Sequence, residues 1–89
     1  MIRKDLPIVN KLGLHARAAS HLVKTACDFK SRITIEKAGA NADAKSIMGL
    51  MLLAAAKGHT VTVTAEGEDE AAAMSAVEAL IRDRFHEEQ

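Results

Sequence analysis

The sequence predicts an α+β domain: a two-layer, open-faced sandwich in which three helices cover one face of a four-stranded antiparallel sheet. Two observations predict it. Alternating runs and runs at helical spacing interleave in the order β-α-β-β-α-β-α. In the clearest strand, Val61, Val63 and Ala65 alternate with threonines, so one sheet face is apolar and the other meets water. At 89 residues the chain is read as a single domain spanning 1–89.

Each element carries its own signal. Leu6 and Ile8 alternate with Asp5, Pro7 and Val9. Pro7 cannot donate to a ladder, which places this weak strand at a sheet edge. The first helix runs from Ala16 to about Cys27, with Ala19, Leu22, Val23 and Ala26 as its apolar face and Phe29 plugging the core beyond it. Ile33 and Ile35 alternate with Arg32, Thr34 and Glu36 in a half-buried strand. Ala38 to Asn41 reads as a turn, and a short third strand returns over Asn41 to Ala44. Ser46 is a good N-cap for a second, short helix. Ile47, Leu50 and Leu53 form its inner stripe, and Lys57-Gly58-His59 ends it. Gly67 turns out of the fourth strand. Asp69 caps the last helix, whose buried face is Ala73, Ala76, Val77, Leu80 and Ile81. Phe85 closes the end, and Glu87 to Gln89 fray.

Composition narrows the function. There is no Trp or Tyr, so the core is aliphatic apart from Phe29 and Phe85. Cys27 stands alone and cannot form an internal disulfide; it is read as a buried or half-buried spectator. Met1 to Asp5 lacks the apolar run of a signal peptide, and the longest apolar run, Ile47 to Ala56, is too short to span a membrane. The expectation is a cytoplasmic monomer without membrane insertion. Up to Lys37 the chain carries eight Lys/Arg against three Asp/Glu, a surplus of five; the remainder carries four against nine. The basic half favours phosphate and acidic protein surfaces. Without aromatic stacking platforms or a strong basic field, nucleic-acid binding is not expected. His21, His59 and His86 show no zinc-site spacing, so neither metal nor cofactor is expected.

The chemistry concentrates at Asn10 to Ala19. His15 sits at the joint between strand and helix, in the N-cap position. The first helical turn leaves backbone N–H groups without partners, and with the helix dipole they form an anion site. A neutral imidazole there is nucleophilic at physiological pH. The N–H groups of Ala16, Arg17 and Ala18 are candidates for the phosphate oxygens, and the Arg17 guanidinium can pair with them as a fork. Gly13 lets the chain turn tightly just before the site.

Gly13-Leu14-His15-Ala16-Arg17-Ala18-Ala19 resembles the active-site loop of the HPr family, the histidine phosphocarriers of the sugar phosphotransferase system and its nitrogen-related branch. The family pattern is Gly-Leu/Met-His-x-Arg-Pro-Ala. Ala18 departs from it, giving up the preset φ of proline and leaving one more N–H to face an anion. Lys45-Ser46-Ile47-Met48-Gly49-Leu50-Met51 resembles the family's second-helix motif. The resemblance covers nearly the whole chain. It implies strand order 1-4-2-3 and phosphoryl attachment at Nδ1 of His15. It also implies a carrier rather than an enzyme turning over a small substrate. The donor would be a phosphoenolpyruvate-dependent Enzyme I and the acceptor an Enzyme II A-type protein. Ser46 matches a serine that a dedicated HPr kinase/phosphorylase modifies in many bacteria, although its capping role alone explains a serine there. Met48, Met51 and Leu52, left off the inner stripe, would form an adaptable apolar contact patch for partners. The competing reading is a regulatory binding module that uses the His15/Ser46 surface without phosphoryl flux.

Overall fold

Seven elements build the domain in chain order: β1 (Ile2–Pro7), α1 (Ala16–Ala26), β2 (Arg32–Lys37), β3 (Ala40–Asp43), α2 (Ile47–Leu52), β4 (Thr60–Glu66) and α3 (Glu70–Arg82). A final turn follows at Arg84–His86. The structure, a computed structural model, describes residues 1–86; the fraying expected for Glu87 to Gln89 lies outside the described residues. The strands form one antiparallel sheet in the order β1-β4-β2-β3. Pro7 is therefore on an edge strand, where its missing N–H costs no ladder bond.

Alternation assigns the two faces. Leu6, Ile33, Ile35, Ala42, Val61, Val63 and Ala65 point into the core beneath the helices. Thr62 and Thr64 lie on the other face, where the Thr62 hydroxyl donates to Asp5 Oδ1 at 2.6 Å across the β1–β4 pair. Ala19, Leu22 and Ala26 of α1 meet Val77, Leu80 and Ile81 of α3 in that core, with Phe85 fully buried behind them. Phe85 reaches it through a turn in which Arg84, Phe85 and His86 all have positive φ. Phe29 is half-buried against the same cluster.

Several boundaries differ from the expected ones. The β2–β3 turn is only Ala38-Gly39, both at positive φ, so Ala40 and Asn41 already pair with Lys37 and Glu36. α2 stops at Leu52, because Ala54 takes a left-handed φ of 52° and the Lys37 ammonium donates to the carbonyls of Leu53 and Ala54 at 3.0 Å each. The 57–59 segment is instead the turn into β4. Ile47, expected inside, is 40 % exposed, since six residues on a small sheet bury little beyond Leu50. In α3 it is Met74, not Ala76, that is buried with Ala73 and Val77. Cys27 is exposed, because α1 ends before its side chain can turn inward.

Asp69 occupies the N-cap position of α3 but does not cap it with its side chain. Its carboxylate accepts from the N–H groups of Lys30 and Ser31 at 2.9 Å each, and from the Ser31 hydroxyl. The start of α3 is thereby tied to the start of β2. The Ser31 hydroxyl bond, followed by the Lys30 N–H, holds the Asp69 carboxyl below its ordinary value of 3.8. A depressed folded value means that the ionised form stabilises the fold above the ordinary carboxylate range, and that this contribution is lost as pH falls through the lower folded value. Asp69→Asn is thus expected to lower the melting temperature at pH 7, by an amount that shrinks as pH falls below the ordinary carboxylate range. A gap in melting temperature that stays constant as the solution is acidified through and below that range would rule this linkage out.

Candidate functional site

The turn Asn10–Leu14 delivers the chain from β1 to α1. Asn10 is fully buried and donates through Nδ2 to Gly13 O at 2.7 Å, while Gly13 N–H returns to Asn10 O at 3.2 Å. The turn rests on the loop after α2: Leu14 N–H donates to Ala55 O at 2.8 Å. Gly13 is required twice over. Its φ is +66°, and a Cβ there would lie 2.4 Å from Ala55 O and 2.8 Å from Ala56 Cα. Leu14 is buried, which anchors the residue before His15 in the core.

His15 emerges from that turn as the N-cap of α1, with extended backbone angles (φ −83°, ψ −178°). Its Nδ1 accepts from Arg17 N–H at 3.3 Å. A backbone N–H can only donate, so Nδ1 presents its lone pair and the neutral ring carries its proton on Nε2. Nδ1 is thus the ring nitrogen turned toward the first N–H groups of the helix. His15 is half-buried, and Ala16 and Arg17 are exposed at the same end. An anion on Nδ1 would meet the positive end of the helix dipole, and the Arg17 side chain is within the same turn to add its charge.

Ala18 does not join them. It is 0 % exposed, packed into the core face of α1, so its N–H is not presented to an incoming phosphate. Ala16 and Arg17 are exposed, and the Arg17 N–H donates to His15 Nδ1.

Ser46 stands apart on α2, which packs against α1. Its Oγ accepts from Gly49 N–H at 3.1 Å, the capping bond expected of it. Met48 (73 %), Met51 and Leu52 (81 %) are exposed, as are Ile47 on the same helix and Leu12 in the turn before His15. Among the described residues, no group of three or more His, Cys, Asp or Glu could hold a metal ion. Nor is any described helix long and apolar enough to cross a membrane.

The sequence reading passed over Asn10, Lys37 and Ala55, which shape the site without touching an anion. The Asn-x-x-Gly spacing of Asn10 and Gly13 is a turn signal that points to the first. Nothing local points to the other two, whose bonds reach across the chain.

This fold is that of small phosphocarrier proteins. A solved structure of HPr from Thermoanaerobacter tengcongensis superposes with a TM-score of 0.95 at 45 % identity, covering 100 % of both chains. The phosphocarrier protein HPr of Cupriavidus necator is 51 % identical over 87 residues, 98 % of each chain. The phosphocarrier protein NPr of Shewanella violacea is 41 % identical over 86 residues, 97 % of this chain and 94 % of that one. A family model described as the PTS HPr component phosphorylation site matches residues 2–83. The chain belongs to the HPr family of phosphotransferase-system phosphocarriers.

The close fit of Gly13 gives a direct check. Gly13→Ala combines a left-handed φ with a collision against backbone, and is expected to cost about 2 kcal/mol or more in chemical denaturation. A loss of less than about 0.5 kcal/mol, the range of an ordinary surface substitution, would show that the turn is not held against Ala55 as described.

Proposed function

We propose that His15 accepts a phosphoryl group on Nδ1 from a phosphoenolpyruvate-dependent Enzyme I and passes it to an Enzyme II A-type protein. The observation that carries this is the 3.3 Å contact of His15 Nδ1 with Arg17 N–H at the start of α1. It turns the reactive lone pair toward donors that can hold phosphate oxygens. In the forward step the Nδ1 lone pair forms the N–P bond while the donor's bond to phosphorus breaks. The N–H groups of Ala16 and Arg17 and the Arg17 guanidinium take up the oxygens. The onward step reverses this. The chain is a carrier acting as a cytoplasmic monomer, with no turnover of a small substrate of its own.

Met48, Met51 and Leu52 serve as the partner-contact surface, exposed and conformationally adaptable. Ser46 is the site of regulatory phosphorylation by an HPr kinase/phosphorylase. A phosphate there would add about −1.5 to −2 charges at a helix N-terminus, which the dipole tolerates, while repelling an acidic partner.

The test is labelling with phosphoenolpyruvate and the donor enzyme of each branch. His15 is expected to carry acid-labile, base-stable phosphate, and His15→Ala none; equal labelling of the variant would overturn the assignment. Arg17→Ala is expected to slow acceptance by roughly tenfold to a hundredfold, as loss of a charged phosphate contact does. Ser46→Asp is expected to keep its melting temperature yet accept phosphate more slowly. If both quantities match the parent, Ser46 has no regulatory role.

A further inference from the structure

The loop between α2 and β4 sits directly beneath the His15 turn, and one of its side chains holds it in shape. His59 Nδ1 accepts from the backbone N–H of Ala56 at 2.9 Å. The His59 backbone closes the same turn: its N–H donates to Ala56 O at 2.9 Å. The loop is also pinned to the strand leading into the site. Ile8 N–H donates to His59 O at 2.8 Å, and Gly58 N–H donates to Ile8 O at 3.0 Å. Ala56 is the residue whose Cα would lie 2.8 Å from a Cβ on Gly13, and its neighbour Ala55 accepts from Leu14 N–H. The His59 ring therefore fixes the peptide against which Gly13 and Leu14 are seated, one residue before His15.

We propose that His59 is a positioning residue for phosphoryl transfer at His15: its neutral ring holds Ala56, and through it the Gly13–Leu14 turn, in the arrangement that aims Nδ1 at the start of α1. It never touches the phosphoryl group. The proposal rests on the reading that His15 is the acceptor. Its chemistry is specific to a ring nitrogen with a free lone pair. A protonated imidazole has two donors and no acceptor, so it cannot keep the Ala56 bond. Ionisable side chains near this loop in the chain or bonded to it are Lys11, Lys37, Lys57 and His15, with Asp5 on β1. Lys37 is held on the Leu53 and Ala54 carbonyls, and Asp5 accepts from Thr62 on the far face of the sheet. Of the five, only His15 is likewise an imidazole.

Two variants and one titration test it. His59→Ala removes the acceptor. It is expected to speed amide exchange of Ala56 and Leu14 and to lower the maximal rate of phosphoryl acceptance, each by roughly two- to tenfold, the effect of one lost hydrogen bond. The donor concentration for half-maximal rate should not change, because no partner contact is removed. His59→Asn offers a carbonyl oxygen that accepts an N–H without titrating, and should restore both exchange protection and rate. In the parent protein, the Ala56 amide resonance should move with the titration of the His59 ring and not with that of His15; in His59→Asn it should stay constant over the same range. Parental exchange and rate in His59→Ala would overturn the proposal, as would a folded His59→Asn that restores neither. An Ala56 resonance that ignores the His59 titration would overturn it even if His59→Ala fails to fold. If no variant and no parent labels at His15, the acceptor assignment fails instead, and the exchange data still report on the loop.

Discussion

The contact between the Asn10–Leu14 turn and the loop after α2 is the constraint from which the site follows. It is a backbone-to-backbone approach, made possible by the missing side chain of Gly13 and closed by the Leu14 N–H to Ala55 O bond. Because both sides are main chain, neither can swing away like a rotamer. The burial of Leu14 and Asn10 fixes the turn from below. His15 then has little choice: the residue after a buried leucine, in extended geometry, begins α1, and its ring folds back over the first turn. A histidine on a free loop would have the same intrinsic reactivity but no fixed relation to a set of N–H donors.

The electrostatics suit a group that must be held and then released. Without cargo, the Arg17 N–H has the Nδ1 lone pair as its partner. With a phosphoryl group on Nδ1, under the proposed function, the same N–H would turn to a phosphate oxygen. The donor is satisfied in both states, so the difference between them stays small, which fits a carrier better than a sink. The added charge sits at the positive end of an eleven-residue helix. The exposed apolar side chains of α2 lie on an element packed against α1.

Much of this was legible because its causes are local. His15 before a helical run, Ser46 before a short apolar one, the alternation of β4 and the proline of β1 all announce themselves within a few residues. What stayed hidden depends on contacts between distant parts of the chain. Asp69 reads as a cap, yet its carboxylate is drawn to Lys30 and Ser31, just before β2. Ala54 has no glycine-like signature, yet it adopts a left-handed φ because Lys37, from β2, satisfies the carbonyls at that end. Ala18 was read as a spare donor, because the departure from proline drew attention to its N–H rather than to its place on the buried face of α1. Ile47 is exposed and Met74 is buried where Ala76 was expected, because periodicity gives the direction of a stripe and not its width. His59 looked like a residue after a glycine turn; only the folded loop shows what its ring nitrogen holds.

The central claim is that Nδ1 of one imidazole, seated at the start of α1, exchanges a backbone partner for an anionic cargo. The most direct measurement is an ¹⁵N nuclear magnetic resonance spectrum of the phosphorylated protein, recorded with phosphorus coupling. The account predicts coupling at Nδ1 of His15, together with large changes at the Ala16 and Arg17 amides and little at Ala18. Coupling at Nε2, or at another histidine, with those two amides unmoved, would contradict it.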